Sequence, residues 1–119
     1  MVLRNYEDRL DFLNRNIDEI NKAVSDLLGF DVNFEVETFQ YGADNIIRLR
    51  DDTNIRYKCG VLSTCFESVY LSNGGVCWDD NSVWITINCS CLSISGNEYV
   101  ATICRVRIVG DEVSVRLVG

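Results

Sequence analysis

VWITINCSCLSISGNEYVATICRVRIVGDEVSVRLV, residues 83–118, decides the fold. Side chains alternate from its first residue. Val83, Ile85, Ile87, Cys89, Cys91 and Ser93 fall on one side, and Trp84, Thr86, Asn88, Ser90, Leu92 and Ile94 on the other. That is the period of a strand with one buried face. A two-residue Gly96-Asn97 loop suits a primed hairpin turn, which needs positive φ. With Ser95 opposite Glu98, Ile87 meets Val106, Ile85 meets Ile108 and Cys89 meets Cys104. A second turn at Gly110-Asp111 sets Val109 against Glu112, Ile108 against Val113, Val106 against Val115 and Cys104 against Leu117. Both turns bring apolar residues together, and a slip of one residue would send every inward side chain to the wrong face. The stretch therefore predicts three consecutive antiparallel strands, 83–94, 99–109 and 113–118.

Upstream, Asn5 is a good N-cap, and Glu7 and Asp8 complement the dipole of a first turn. Tyr6, Leu10, Leu13, Ile17, Ile20, Val24 and Leu27 recur at spacings of three and four, and Gly29 can end the helix in a left-handed position. A helix over 6–28 follows. Its stripe also fits a coiled-coil seam, but Phe12, Ala23 and Leu28 widen the apolar face, which favours packing on the chain's own sheet.

Strands are expected at 32–39, 46–50, 55–61 and 76–78, with loops at 41–45 and 51–54 and an acidic turn at 79–82. In 62–72, Leu62, Cys65, Phe66, Val69 and Tyr70 make a helical stripe after a Thr64-x-x-Glu67 capping box, yet have strand propensity too. The reading leans to a short helix. A turn at Asn73-Gly74-Gly75 follows it.

The sum is an α+β chain: an N-terminal amphipathic helix packed on a curved antiparallel sheet of five to seven strands, in one domain, 1–119. The arrangement resembles the helix-on-sheet plan of cystatin-like domains, an architectural likeness that carries no motif and implies no function.

The 119 residues carry a net charge of −7, with no histidine and no proline. Histidine's absence removes the commonest general base and metal ligand. The negative balance argues against broad binding to nucleic acid or anionic membranes. No segment approaches the roughly 18 uninterrupted apolar residues of a membrane span. The N-terminus lacks a signal peptide's apolar region. A cytoplasmic protein with no membrane partner is expected.

The six cysteines, Cys59, Cys65, Cys77, Cys89, Cys91 and Cys104, are the most unusual feature. A Cys₄ zinc site shows paired knuckles, and Cys89-x-Cys91 is alone here. The preferred reading is reduced thiols filling the inner face of the sheet, ahead of a Cys89–Cys104 disulfide and of a metal. The acidic pairs Asp51/Asp52 and Asp79/Asp80 stand where turns use aspartate for local hydrogen bonds. Gly74-Gly75 lacks the lysine and long helix of a phosphate loop. No catalytic residue, metal or cofactor is assigned.

Two surfaces remain. Arg48, Arg50, Arg56 and Lys58 would share an outer face as an anion site, although Glu37 opposite Arg48 and Glu35 opposite Arg50 would neutralise part of it. On the outer face of 83–118, Leu92, Ile94, Tyr99, Ala101 and Ile103 would gather at one end, and Trp84, Arg105, Arg107 and Arg116 at the other. That composition belongs to an interface hot spot as much as to a second core layer. The expected function is a non-enzymatic, small acidic binding protein that occludes a macromolecular partner. A protein partner is expected, with a homodimer among its states and direct nucleic-acid binding not favoured. Size, acidity and lack of motifs are those of phage or mobile-element inhibitors of host machinery, working in the host cytoplasm. The alternative is a module for a nucleotide or phosphate-like anion.

Overall fold

The helix forms where its stripe and caps place it. In the computed structural model, which describes residues 5–51, 66–79, 82–93 and 95–118, α1 spans Tyr6–Leu28. The Asn5 side chain accepts from the Asp8 N–H at 2.8 Å. Gly29, at φ 81°, donates its N–H to the Ser25 carbonyl at 2.8 Å. Among the described residues six strands follow: β1 (Glu35–Tyr41), β2 (Asp44–Asp51), β3 (Phe66–Trp78), β4 (Ser82–Ser93), β5 (Glu98–Val109) and β6 (Glu112–Leu117). They form one antiparallel sheet in sequence order, left open between β1 and β6. No helix among the described residues is long and apolar enough to cross a membrane.

One face of the sheet takes the helix. Phe12, Leu13, Ile20 and Val24 of α1 are buried with Leu49, Leu71, Val83, Ile85, Ile87, Cys104, Val106 and Ile108. Asn16 is buried within the helical stripe as well, and its amide donates to the Phe12 carbonyl at 2.8 Å. The opposite face of the sheet has no second layer among the described residues. Trp84, Arg105, Arg107 and Arg116 are all exposed there. The even–odd sorting of β4, of β5 from Cys104 onward and of β6 is the one their alternation predicts.

The return from the helix differs from the sequence reading. Val32 and Phe34 point into the core as expected, but the ladder begins only at Glu35. Two helix side chains take the place of a neighbouring strand. Ser25 Oγ accepts from the Val32 N–H at 2.8 Å, and the Asn21 amide oxygen accepts from the Phe34 N–H at 2.6 Å. The Asn21 amide nitrogen also donates to the Phe34 carbonyl at 3.2 Å. On the far side, Asp51 accepts from the Asn33 N–H at 3.0 Å. Asp51 is thus not a turn aspartate: it ends β2, is buried, and anchors the crossing segment.

The segment read as a short helix contributes residues 66–72 to β3 instead, and 76–78 is the end of that same strand. Val69 pairs with Cys91 and Leu71 with Cys89, so the ladder along β4 overrides a local helical stripe. Asn73-Gly74-Gly75 is not a turn but an irregularity between Asn73 and Val76. A Cβ on Gly74 would lie 2.6 Å from the side-chain amide nitrogen of Asn88, so any larger residue there would have to displace that side chain. The Asn73 side chain accepts the Leu49 N–H at 2.7 Å, and among the described residues β2 joins β3 through Arg50↔Ser72 and Asp51↔Leu71. The predicted strand 55–61 and residues 62–65 lie outside the described residues. The loop expected at 41–45 is tighter, since pairing runs to Tyr41↔Asp44.

The β5–β6 register matches the sequence reading, from Val109↔Glu112 through Cys104↔Leu117. The β4–β5 register does not. Its last pair is Leu92↔Glu98, so the connection is longer than a two-residue turn. Continued without interruption, that register would set Arg105 opposite Ile85 and Arg107 opposite Val83, burying two guanidinium groups. A bulge removes the conflict: Asn88 pairs with Thr102 but Ile87 with Cys104, leaving Ile103 as the extra residue. Beyond it Ile85 meets Val106 and Val83 meets Ile108. Cys89 lies opposite Ala101, and Cys104 opposite Ile87, so the expected Cys89–Cys104 pair does not form.

The clip between helix and crossing segment has a measurable consequence. Asn21→Ala leaves both main-chain groups of Phe34 without their partner and should cost about 1–3 kcal/mol in urea denaturation. Asn14→Ala, on the exposed face of the helix, should stay within about 0.5 kcal/mol.

Candidate functional site

Alternation along β4, β5 and β6 builds an outer face that nothing described covers. Trp84 pairs with Arg107 across the ladder, and the guanidinium carbon of Arg107 stands 4.7 Å from the indole centroid. Arg105 pairs directly with Arg116 on β6. Among the described residues no carboxylate lies within ion-pair distance of Arg105, Arg107 or Arg116; the ion pairs are Arg15–Asp11 and Arg48–Glu37. Like charges set opposite each other on neighbouring strands destabilise a sheet. Together with Ser114 the three arginines and Trp84 line a shallow depression of about 470 Å³. Trp84 remains 37% exposed, an aromatic ring with a cation lying over it and solvent beyond.

The same stacking recurs toward β1. Arg50 lies 4.2 Å from the Tyr70 ring centroid, and Arg48 lies 5.2 Å from that of Phe39. Arg48 also donates to Glu37 at 2.7 Å, the cross-strand pair expected from the β1–β2 register. The phenol of Tyr70 donates to Glu98 at 3.3 Å. The basic quartet is not assembled among the described residues. Arg48 is neutralised, Arg50 lies on Tyr70, and Arg56 and Lys58 lie outside the described residues.

The apolar end of the predicted interface is divided by the bulge. Because Cys89 pairs with Ala101 and Cys91 with Tyr99, Ala101 and Tyr99 stand on the helix side of the sheet, not the outer side. Ile103, the extra residue, packs against the core. Leu92 is half-buried, and Ile94 lies outside the described residues. Only Trp84, Arg105, Arg107 and Arg116 form the group foreseen. The stack on Tyr70 escapes the sequence reading because residues 66–72 read there as helical. For the stack on Phe39, Arg48 was the available signal, since the pairing Phe39↔Ile46 places them on adjacent positions of one face.

Of the cysteines, Cys89 and Cys104 are buried, Cys91 is half-buried and Cys77 is exposed, so the inner-face reading fails for Cys77 alone among those described. Cys77 pairs with Trp84 and therefore belongs to the outer side. None of these four is in a disulfide. Cys59 and Cys65 lie outside the described residues. Burial pushes the Cys104 thiol up to about 11, and burial followed by the neighbouring Cys89 raises that of Cys91. Thiols held protonated are poor nucleophiles and poor metal ligands. Among the described residues no three Cys, Asp or Glu side chains gather as a metal site would require.

The chain matches no family model, no curated protein and no solved structure. No solved structure supports the resemblance to the cystatin plan.

The raised Cys104 value sets a pH dependence. In the unfolded chain the thiol ionises near 9, in the folded one near 11. Its contribution to stability is level below pH 9 and falls as the pH rises from there toward 11, because the unfolded state releases its proton first. Urea unfolding followed over this range should show that loss, and Cys104→Val should reduce it.

Proposed function

We propose that this chain is a non-enzymatic binding protein that masks an acidic patch on a protein partner with the outer face of β4–β6. One observation carries the reading: Arg105 and Arg116 face each other beside the Trp84–Arg107 stack with no carboxylate among the described residues to relieve them. A partner's aspartates or glutamates would remove that repulsion, and the indole supplies an aromatic anchor. Tryptophan and arginine are the residue types that dominate binding energy at interfaces.

The partner's class follows from charge. The chain is −7 overall, with 18 acidic and 11 basic side chains, so the arginine face is a local exception. A polyanion such as nucleic acid would meet repulsion from the rest of the molecule. A protein carries both signs, and screening confines the arginine contacts to roughly 8 Å at physiological salt. The surrounding acidic side chains would meet its basic ones, steering encounter and excluding wrong partners. A second reading is favoured by the depression under Arg105, Arg107 and Arg116, whose guanidinium donors suit a nucleotide or phosphate-like anion.

A single charge reversal separates binding from folding. Arg105→Glu sets an acid opposite Arg116 and should stabilise the sheet by about 0.2–1 kcal/mol. The same change should weaken binding of a fluorescein-labelled peptide of glutamates around a central leucine about tenfold at moderate salt. Arg105→Glu with Arg116→Glu should abolish it. Preference for an oligothymidylate of equal charge would point to nucleic acid, and displacement by low concentrations of inorganic phosphate to the small-anion reading. No peptide binding even at low salt would sink the proposal.

A further inference from the structure

On the helix side of the sheet, β5 runs on past its neighbour. β6 pairs with β5 from Val109 to Cys104, and the Val118 N–H adds a bond to the Ile103 carbonyl. Residues 100–102 of β5 then have no strand beside them on that edge among the described residues. An uncovered strand edge offers main-chain donors and acceptors to another extended chain. Alongside this edge lies an open groove of about 560 Å³, with Leu28 and Phe30 on one wall and Cys91, Tyr99, Ala101 and Leu117 among its other lining residues. The Ile103 bulge turns Tyr99 and Ala101 to this side. Val100 is 57% exposed and Leu117 58%, so apolar surface and open edge coincide.

The groove's charge is one-signed. Among the described residues no lysine or arginine lines it. The C-terminus of α1 points its negative dipole end there, with no basic residue in its last turn. Asp26 and Asp31 are exposed within two residues of the lining side chains Leu28 and Phe30. Two copies joined edge to edge would bring these acids together. A second copy is the wrong occupant.

We infer that this groove receives an extended segment of a partner protein, added as a strand beside β5 beyond the end of β6, with apolar side chains at alternate positions and lysine or arginine at its ends. The main chain supplies the strand bonds, and every second side chain enters the groove. Basic ends meet the acids and the helix terminus. The groove shares Leu117 and Val118 with the arginine depression but none of Trp84, Arg105, Arg107 or Arg116, so the two proposals are tested by different substitutions.

The probe is a labelled nonapeptide, Lys-Lys-Val-Thr-Val-Thr-Val-Lys-Lys, with a glutamate-ended counterpart and a version N-methylated at alternate amides. Fluorescence anisotropy should show the lysine-ended peptide binding, with both counterparts and Ala101→Glu at least about tenfold weaker. Amide exchange should slow at residues 100–102 when the peptide is present. Arg105→Glu with Arg116→Glu should leave this binding unchanged, which separates it from the proposal for the outer face. Equal binding of the N-methylated peptide, no binding of the lysine-ended one, or a protein dimer dispersed by Ala101→Glu would each overturn the inference.

Discussion

Arg105, Arg107 and Arg116 must stay in water, and much of this structure follows from that. They alternate with Cys104, Val106, Ile108 and Val115, so exposing the guanidinium groups and burying the aliphatic ones is a single event. Isolated charges are too costly to bury, and a sheet corrects its register sooner than pay that cost. The bulge at Ile103 is the correction. It absorbs the residue by which the connection after Leu92 would otherwise put Arg105 and Arg107 inside.

That adjustment has a second effect. Downstream of Ile103 it protects the core; upstream it turns Tyr99 and Ala101 to the helix side, where α1 ends and does not cover them. One irregularity thus creates two chemically distinct surfaces on opposite sides of the sheet. The outer one is cationic with an aromatic anchor, and the inner one apolar within an acidic frame. A net charge of −7 describes neither. Charge here is segregated, and the molecule's behaviour toward partners depends on where each sign sits.

The segment linking helix to sheet shows how little regular structure a buried strand-like path needs. Asn21 and Ser25 satisfy the main chain of Phe34 and Val32 from the helix, and Asp51 that of Asn33 from β2. Polar side chains on the apolar side of a helix look like flaws in its stripe. They are the reason Val32 and Phe34 can enter the core without leaving main-chain groups unsatisfied. The same substitution of side chain for strand occurs at Asn73, which takes the Leu49 N–H where β2 and β3 part.

Local patterns in the sequence determined α1, its two caps, the β1–β2 register and the Gly110 hairpin. In each, the deciding interactions span only a few residues, so composition and spacing contain them. The inward and outward sorting of β4, of β5 from Cys104 onward and of β6 was legible for the same reason: period-two alternation is a property of the chain itself. The bulge, the strand identity of 66–72 and the burial of Asp51 were not. Each is settled by residues distant in sequence: Ile87 and Asn88 opposite Cys104 and Thr102, Cys91 opposite Val69, Asn33 beside Asp51. Only the tertiary structure could decide them, because pairing between distant strands repays its loop entropy only when the whole sheet forms.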